Sequence, residues 1–349
     1  MTGKMKVIAL TGICDLDILT QPIPELNSDT DVLIKIKSVG VCGSDVHYYK
    51  TGRIGSQIVE YPFVVGHEGA GIVVKKGKKV TRVKVGDNIA IEPAMPCFKC
   101  DQCNSGRYNT CRNLKFLGCP GQAGGCLSEY IVMPETSCIP FYSDITHAEA
   151  LISEPFAIGI YAAKLAGETL YKDIAILGYG PIGMSVHFAL RIQGYRKIFV
   201  TDILDYRLEK SIINGSNYVG NPDREDIEKN FLQILPKGFD IVFECCGKQE
   251  AINNSLQILK PGGKLLIIGI PEFDYWTFNA DLIRRKEITI INVRRQNQCF
   301  EKAVDLIDKK VIDAKSFITH QFDYKESKTA FETVMNYKDG VMKAIINFD

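Results

Sequence analysis

The amino-acid sequence predicts an α/β protein with two domains, one rich in β-strands and one built on a doubly wound parallel sheet. Its 349 residues are enough for two hydrophobic cores at about 150 residues per domain. Up to about residue 155, short β-branched runs alternate with turns rich in glycine and proline. From about residue 173, apolar strands alternate with helix-like segments. This alternation is typical of βαβ units and a parallel sheet.

In the first region, residues 32–36 and 71–74 are β-branched runs, and residues 85–88 carry a turn signal. In the second region, the apolar run at 174–177 is typical of a fully buried strand, and it is followed by a glycine-rich turn. The predicted elements from there on are helix 181–193, strand 197–201, strand 239–244, strand 264–269, which follows the segment 260–263, and helix 298–308.

Composition and charge restrict the class of protein. The chain has 42 Lys and Arg against 41 Asp and Glu, so its net charge of +1 argues against a nucleic-acid or membrane-surface protein. The first residues have no apolar leader, and the longest uncharged stretch, 174–190, is short and rich in glycine. We therefore expect a cytoplasmic protein without a membrane span. Thiols stay reduced in that compartment, so the twelve cysteines indicate metal binding or catalysis.

Four cysteines form the pattern C-x2-C-x2-C-x7-C, at Cys97, Cys100, Cys103 and Cys111. Two-residue spacings let one tight loop turn several sulfur atoms inward. Four thiolates satisfy the tetrahedral preference of Zn²⁺ and close the site to water. We therefore predict a structural zinc site. An iron–sulfur cluster and four separate thiols are the alternative interpretations.

A second set of zinc-type ligands is spread along the chain. Cys42 and His67 stand 25 residues apart, and Glu154 is a third candidate. Three protein ligands leave a fourth position for water or substrate, which is the pattern of a catalytic zinc. Each residue also has an ordinary interpretation, since an isolated cysteine is more often a small buried apolar residue and an isolated histidine a structural one.

A glycine-rich turn fits G-x-G-x-x-G at Gly178, Gly180 and Gly183. It follows a predicted strand, opens a predicted helix, and precedes Asp202 by 19 residues counted from Gly183. This context predicts dinucleotide binding, with the pyrophosphate at the helix N-terminus. The Asp202 carboxylate suits a free ribose 2′-hydroxyl, so we predict NAD rather than NADP, although Arg207 lies nearby. A turn without a ligand is the alternative.

Taken together, these segments resemble the zinc-dependent medium-chain dehydrogenase/reductase family, and most closely its sorbitol (polyol) dehydrogenase branch. The segments that carry the resemblance are 41–48, 66–71, the four-cysteine loop, 154–155, and the glycine turn with Asp202. The resemblance implies a GroES-like zinc-containing catalytic domain, 1–155 with 291–349, and an inserted Rossmann NAD-binding domain, 156–290. It also implies two zinc ions per chain and a homo-oligomer, either a tetramer or a dimer.

The resemblance implies roles for individual residues. The catalytic zinc would be held by Cys42 and His67 together with Glu68 or Glu154, and Glu154 could also contact the substrate. Ser44 and His47 would relay a proton to solvent. The other positions matched to the family are, for the substrate, Tyr48, Arg294 and Arg295, and, for the cofactor, Gly178, Gly180, Pro181, Ile182, Gly183, Asp202, Arg207, Ile268, Gly269, Ile270, Val293 and Arg294.

The implied activity moves a hydride between NAD and a secondary alcohol of a polyol such as sorbitol, xylitol or iditol, giving a ketose. Three positions depart from the family pattern. Arg295 stands where an aromatic residue is common, and Gln57 and Leu117 fall near phenylalanine positions of animal members. These departures predict a more polar and basic pocket. Because paired guanidinium groups suit phosphate, a polyol phosphate such as galactitol 1-phosphate is a rival substrate. L-Threonine, the substrate of the L-threonine 3-dehydrogenase branch, is a second rival substrate. The alternative outside the class of enzymes is a non-enzymatic relative that binds NAD and zinc.

Overall fold

The computed structural model describes residues 3–167 and 172–348. It divides into two compact units. The first unit comprises Met1–Glu154 together with Phe300–Asp349, and the second comprises Pro155–Cys299. The first unit is therefore built from two separate stretches of chain.

The N-terminal stretch consists mainly of short strands, because β-branched and apolar residues alternate with turns there. Its strands and helices, in chain order, are β1 (Lys4–Gly12), β2 (Asp15–Pro22), β3 (Asp31–Gly40), α1 (Gly43–Thr51), β4 (Arg53–Ile54), β5 (Gln57–Ile58), β6 (Phe63–Val64), β7 (Glu68–Lys76), β8 (Asn88–Ile91), β9 (Ala94–Met95), α2 (Asp101–Asn104), β10 (Lys115–Phe116), β11 (Tyr130–Pro134), β12 (Cys138–Pro140) and α3 (His147–Ala150).

The next stretch alternates helices with apolar strands. Its elements are α4 (Ser153–Ala166), β13 (Ile174–Leu177), α5 (Pro181–Ile192), β14 (Ile198–Thr201), α6 (Asp205–Ile213), β15 (Tyr218–Gly220), α7 (Ile227–Ile234), β16 (Phe239–Glu244), α8 (Gln249–Ile258), β17 (Leu259–Ile267), α9 (Ala280–Lys286) and β18 (Thr289–Asn292). The C-terminal stretch adds α10 (Phe300–Asp308), β19 (Ile318–Asp323), α11 (Ser327–Met335) and β20 (Lys343–Asn347).

The first unit is organised around a seven-stranded sheet in the order β12-β8-β7-β3-β20-β19, with β11 also paired to β3. A three-stranded sheet, β2-β1-β6, completes its β-structure together with two short two-stranded sheets, β4-β5 and β9-β10. Fully buried side chains such as Ile34, Ile36 and Ile89 form its core. Strand β20 pairs antiparallel with β3, with Ile345 opposite Gly40, so residues 343–347 are part of the same sheet as β3.

The second unit contains a six-stranded parallel sheet in the order β15-β14-β13-β16-β17-β18. Numbered within the unit, this is the order 3-2-1-4-5-6 of a Rossmann fold. The predicted α/β class, with one β-rich unit and one doubly wound parallel sheet, is confirmed. Its ligand site is expected outside the carboxyl ends of β13 and β16, where the strand order reverses.

Two details of the second unit differ from the expectation. Strand β17 begins at Leu259 rather than at residue 264, so residues 260–263 belong to it, and its register against β16 shifts between Phe239 and Ile241. The sheet also continues past residue 290, the limit that the sequence suggested. Strand β18 reaches Asn292, which pairs with Ile267 of β17, and the second unit extends to Cys299, so it includes residues 291–299.

Within the ranges 3–167 and 172–348, the structure contains no helix with the length and apolarity that a membrane crossing requires.

Candidate metal centres and cofactor site

The four-cysteine loop brings its sulfur atoms together. One ligand atom from each of Cys97, Cys100, Cys103 and Cys111 lies within 4.8 Å of all the others. The Cys100 sulfur is 3.6 Å from that of Cys103 and 3.8 Å from that of Cys111. Sulfur atoms at tetrahedral positions around one zinc ion are about 3.8 Å apart, given a Zn–S bond of about 2.3 Å. The geometry therefore fits a structural Zn²⁺.

Local contacts hold this loop in shape. The Arg112 guanidinium donates two hydrogen bonds to the Asp101 carboxylate, at 2.5 and 2.8 Å, and so joins the residue after Cys111 to the residue after Cys100. A backbone hydrogen bond at Lys99 contributes most to lowering the pKa of Cys97 to about 6. A thiol with a lowered pKa is more readily a thiolate, which is the form that binds a metal ion.

A second cluster joins Cys42, His67 and Glu68, whose ligand atoms all lie within 4.8 Å of one another. Cys42 is the residue that caps the N-terminus of α1. His67 precedes β7, and Glu68 is the first residue of that strand. The pairing of β7 with β3 places Glu68 opposite Gly40. A Cβ atom at residue 40 would lie 2.2 Å from a Glu68 carboxylate oxygen, so glycine leaves the space that Glu68 occupies.

Asp45 supports the second cluster, and sequence reasoning missed it. Its carboxylate accepts hydrogen bonds from the backbone N–H groups of Cys42 and Gly66, both at 3.2 Å, and lies 3.4 Å from Nδ1 of His67. A carboxylate at Nδ1 orients the imidazole so that Nε2 can bind a metal. Burial lowers the pKa of His67, but Asp45 and Cys42 outweigh that effect and hold it well above 6.5. The position of Asp45, three residues after Cys42 at a helix start, was the available signal.

Lys343 is the second residue that the sequence did not reveal. Its ammonium group donates to both carboxylate oxygens of Glu68 at 2.7 Å, and the two side chains are 2% and 1% exposed. Burial lowers the pKa of Lys343, but the nearby Glu68 and Cys42 raise it by more than burial lowers it. The lysine therefore stays charged. Lys343 lies on β20, 275 residues from Glu68, and no local pattern links the two.

The other predicted residues of the first unit lie on two helices. Ser44, His47 and Tyr48 are on α1; the first two are half-buried, and Tyr48 is buried. Glu154 is buried near the start of α4 and contributes to raising the pKa of Lys343. Glu154 is not one of the three side chains that form the second cluster.

The glycine-rich turn has the predicted conformation. Gly178 has a φ angle of 93°. A Cβ atom at Gly183 would lie 2.0 Å from the Gly178 carbonyl oxygen, so the start of α5 can approach the turn only with glycine there. Gly180 caps α5, Pro181 is its first residue, and Ile182 follows. The free N–H groups of this first turn suit a pyrophosphate.

Asp202 is buried at the end of β14. Its carboxylate accepts hydrogen bonds from the backbone N–H of Tyr179 at 2.6 Å and of Leu204 at 2.9 Å. The Arg207 guanidinium lies 3.7 Å from the same carboxylate. A Cβ atom on Gly180 would be 3.4 Å from Nη1 of Arg207. The structure thus gathers Asp202 and Arg207 at the glycine turn.

The remaining predicted cofactor residues follow β17 and β18. The backbone N–H groups of Ile268 and Gly269 donate to the carbonyl oxygen of Glu244, at 2.9 and 3.1 Å, and Ile270 follows them. Val293 donates to the Ile267 carbonyl at 2.8 Å, and Arg294 and Arg295 come next in the chain. Arg295 has a φ angle of 52°.

Glu244, at the end of β16, was also missed. Its carboxylate accepts hydrogen bonds from the N–H groups of Cys246 at 2.8 Å and Gly247 at 2.6 Å. Its side chain is fully buried, and burial raises its pKa. With its carbonyl bound to the segment after β17, Glu244 joins the ends of two adjacent strands of the sheet.

A β-rich unit with two zinc-type clusters, together with a Rossmann unit that has a dinucleotide turn, defines a zinc- and NAD-dependent oxidoreductase. Residues 28–143 match the family described as alcohol dehydrogenase GroES-like domain. Residues 181–309 match the family described as zinc-binding dehydrogenase. The chain belongs to the zinc-dependent medium-chain dehydrogenase/reductase family, in its sorbitol dehydrogenase-like branch. Its cofactors are zinc and NAD.

Individual relatives match over nearly the whole chain. The sorbitol dehydrogenase of Bacillus subtilis is 34% identical and matches 98% of this chain and 97% of its own length. The L-idonate 5-dehydrogenase of Vitis vinifera is 32% identical over 93% of this chain and 90% of its own. A solved Escherichia coli oxidoreductase of unknown specificity is 32% identical, with a TM-score of 0.93, and the match covers 99% of this chain and 100% of that one.

Proposed function

We propose that this protein oxidises a secondary hydroxyl group of a polyol such as sorbitol, xylitol or iditol to a ketone, with NAD as the hydride acceptor. The observation that carries the proposal is the clustering of Cys42, His67 and Glu68 within 4.8 Å, in a chain whose relatives include a sorbitol dehydrogenase. One thiolate, one imidazole and one carboxylate are an open zinc donor set, which leaves a position for the alcohol.

In this proposal Cys42 and His67 hold the catalytic zinc together with Glu68 or Glu154. Bound there, Zn²⁺ supplies a Lewis acid that lowers the pKa of the alcohol, and NAD accepts the hydride. Asp45 orients His67. Lys343 holds the Glu68 carboxylate, which keeps that negative charge compensated inside the unit.

The proton released by the alcohol leaves through α1. Ser44 and His47 stand three residues apart and therefore share one face of this helix. Both are half-buried, so each has a side within the unit and a side toward solvent. An imidazole exchanges protons readily near neutral pH. We assign to Ser44 and His47 the relay of this proton to water.

The other assignments follow the family match. Tyr48, Glu154, Arg294 and Arg295 bind the substrate, and the four cysteines of residues 97–111 hold a structural zinc. The unit formed by Met1–Glu154 with Phe300–Asp349 serves as the catalytic domain, and the unit formed by Pro155–Cys299 serves as the NAD domain. The residues proposed to bind NAD are Gly178, Gly180, Pro181, Ile182, Gly183, Asp202, Arg207, Ile268, Gly269, Ile270, Val293 and Arg294. We further propose a cytoplasmic homo-oligomer, either a tetramer or a dimer, which size-exclusion chromatography with light scattering tests.

Substrate comparison is the direct test. The purified protein is assayed with NAD⁺ and, in turn, sorbitol, xylitol, galactitol 1-phosphate and L-threonine, and kcat/KM is compared. The proposal expects the free polyols to have the highest values, and about two zinc ions per chain by elemental analysis. A higher value for threonine or for the phosphate would overturn the substrate assignment. Preference for NADP⁺ over NAD⁺ would overturn the role given to Asp202.

A further inference from the structure

A tyrosine lies at the centre of the glycine-rich turn of the second unit. Tyr179 stands between Gly178 and Gly180, and its side chain is fully buried. Gly178 has a positive φ angle and Gly180 caps α5, so the backbone on both sides of Tyr179 has the shape that a dinucleotide turn requires. Tyr179 therefore belongs to this turn through its backbone and to the interior of the unit through its side chain.

Two polar side chains hold the Tyr179 ring. Its hydroxyl lies 2.8 Å from Nδ1 of His187, on α5, and accepts a hydrogen bond at 3.1 Å from Nδ2 of Asn214, at the end of α6. The tyrosine and histidine rings meet edge to face, with their centroids 5.6 Å apart. Burial lowers the pKa of His187 to about 4, so its imidazole is neutral and can accept the Tyr179 proton at Nδ1. Tyr179 thus ties the turn after β13 to two helices.

The backbone of the same residue orients the Asp202 carboxylate. The Tyr179 N–H donates to Oδ2 of Asp202 at 2.6 Å, and the Leu204 N–H donates to Oδ1 at 2.9 Å. Because each carboxylate oxygen accepts one of these charge-assisted bonds, the plane of the carboxylate is fixed. The ring and the N–H of Tyr179 belong to one residue in a tight turn, so a shift of the ring moves the N–H and turns the carboxylate.

An apolar side chain would fill the same space without burying polar atoms. His187 is fully buried, and its Nε2 has no hydrogen-bond partner among the described residues. A buried polar atom in that state costs about 1–3 kcal/mol. Polar networks in a core make its geometry rigid and unique, and departures from the simplest packing are expected where a site needs such a geometry. The residue that this network fixes is the one that contacts Asp202.

We propose that Tyr179, held by His187 and Asn214, is a positioning residue that fixes the Asp202 carboxylate for the adenosine ribose and so determines the preference for NAD over NADP. This inference rests on the proposed function, in which Asp202 binds NAD, and adds three residues that act through Asp202. A carboxylate in a fixed orientation accepts a hydrogen bond from the ribose 2′-hydroxyl and repels a 2′-phosphate. A carboxylate that can turn away does both less effectively.

The test measures cofactor binding directly. Isothermal titration calorimetry on the zinc-loaded full chain gives the Kd for NAD⁺ and for NADP⁺, and the preference is the ratio of the second to the first. Tyr179→Phe removes one hydroxyl group and keeps the ring. We expect it to weaken NAD⁺ binding about tenfold, the effect of weakening one hydrogen bond to a charged group, and to leave NADP⁺ binding within about twofold. Tyr195→Phe, at a buried tyrosine three residues after α5, is the matched control and should change neither Kd.

A double variant separates positioning from stability. Tyr179→Phe with His187→Leu replaces the buried imidazole with an apolar side chain, so the melting temperature should return toward that of the wild type while the preference for NAD⁺ stays reduced. Recovery of both would show that the network only stabilises the unit, and would overturn the proposal. If Tyr179→Phe does not fold, Asn214→Ala, at a half-buried position, decides the question. It should lower the preference about threefold, and an unchanged preference would overturn the proposal.

Asp202→Asn separates this inference from the proposed function. It removes the charge that repels a 2′-phosphate, and should reduce the preference for NAD⁺ more than any other variant. If the wild type binds neither nucleotide, or if Asp202→Asn keeps the preference of the wild type, the role given to Asp202 is wrong and this inference falls with it. If Asp202→Asn loses the preference while Tyr179→Phe keeps it, the inference about Tyr179 alone is wrong.

Discussion

The two metal clusters of the first unit are built in opposite ways. The four-cysteine cluster takes all its ligands from residues 97–111, and the side chains of the ion pair in this region, Asp101 and Arg112, are 54% and 67% exposed. The second cluster takes Cys42 from the start of a helix and Glu68 from a strand. Lys343, which pairs with Glu68, comes from the other stretch of chain, and both side chains are almost completely buried.

Because the two clusters are built differently, we expect substitutions at each of them to affect the stability of the first unit to different extents. Exposed ion pairs contribute little to stability because water and salt screen them. Removing one partner of a buried pair is costly because the other charge remains without compensation. We therefore expect changes at the four-cysteine cluster to act locally, and changes at the second cluster to affect both activity and the folding of the unit.

The largest expected effect is on catalysis. Cys42→Ser should lower kcat/KM for the polyol by about a thousandfold, since a bound metal contributes several kcal/mol to such a reaction. Cys100→Ser is the matched change in the other cluster. It should also remove one zinc ion per chain and lower the melting temperature, while the activity of the remaining folded protein stays within about tenfold of the wild type. Full activity in Cys42→Ser would show that the two clusters have been assigned the wrong way round.

The next effect is on stability. Lys343→Met leaves the Glu68 carboxylate buried and uncompensated, and should lower the free energy of unfolding by about 3–5 kcal/mol. Urea denaturation measures this change. The double variant Glu68→Gln with Lys343→Met should recover most of the loss, because no charge is then left unpaired.

An exposed lysine provides the control for that experiment. Lys79 lies 3.8 Å from Asp29, and the two side chains are 74% and 52% exposed. Lys79→Met should cost less than about 1 kcal/mol. Equal losses for Lys343→Met and Lys79→Met would contradict the idea that burial makes the second cluster dependent on its lysine.

A smaller effect is expected at Asp45. Asp45→Asn keeps the size of the side chain but removes the negative charge beside His67, and should weaken zinc binding at the second cluster about 10- to 100-fold. Competition with a chelator, followed by elemental analysis of both zinc ions, measures this change. The zinc of the four-cysteine cluster serves as the internal standard, and equal loss of both ions would speak against a specific role for Asp45.

The smallest effect is expected at Arg112. Arg112→Met removes the exposed partner of Asp101, and zinc content and melting temperature should stay close to those of the wild type, because the four sulfur atoms are positioned by the loop backbone. Loss of one zinc ion in this variant would show that the surface pair, and not the loop alone, holds the cluster together.

Sequence patterns predict what is local. The strands at Ile174–Leu177 and Phe239–Glu244 form at the predicted residues, because continuous apolar runs belong in a buried parallel sheet. Cys97, Cys100, Cys103 and Cys111 come together because their short spacings keep all four sulfur atoms on one loop. The start of β17 at Leu259 was missed because the proline and glycines of residues 260–263 locally suggest a break, while pairing with β16 extends the strand.

What the sequence could not predict depends on contacts between segments far apart in the chain. Nothing around Lys343 marks it as the partner of Glu68, since an apolar strand with one lysine usually places that lysine in solvent. The bonding of Glu244 to the segment after β17 likewise depends on the order of strands in the sheet. Gln57 attracted notice only as a departure from the family pattern, and its hydrogen bonds to Tyr48 and Cys119 are visible only in the structure.

The pairing of β20 with β3 has a consequence for biosynthesis. The second unit is continuous in the chain and can fold as soon as it has left the ribosome. The first unit waits, because β3 acquires its neighbour β20 only after residues 343–347 have been translated. Domains otherwise tend to fold in the order of their synthesis. Here the segment that carries β3 and Glu68 emerges before the second unit but is completed after it, so Glu68 acquires Lys343 only once β20 has been translated.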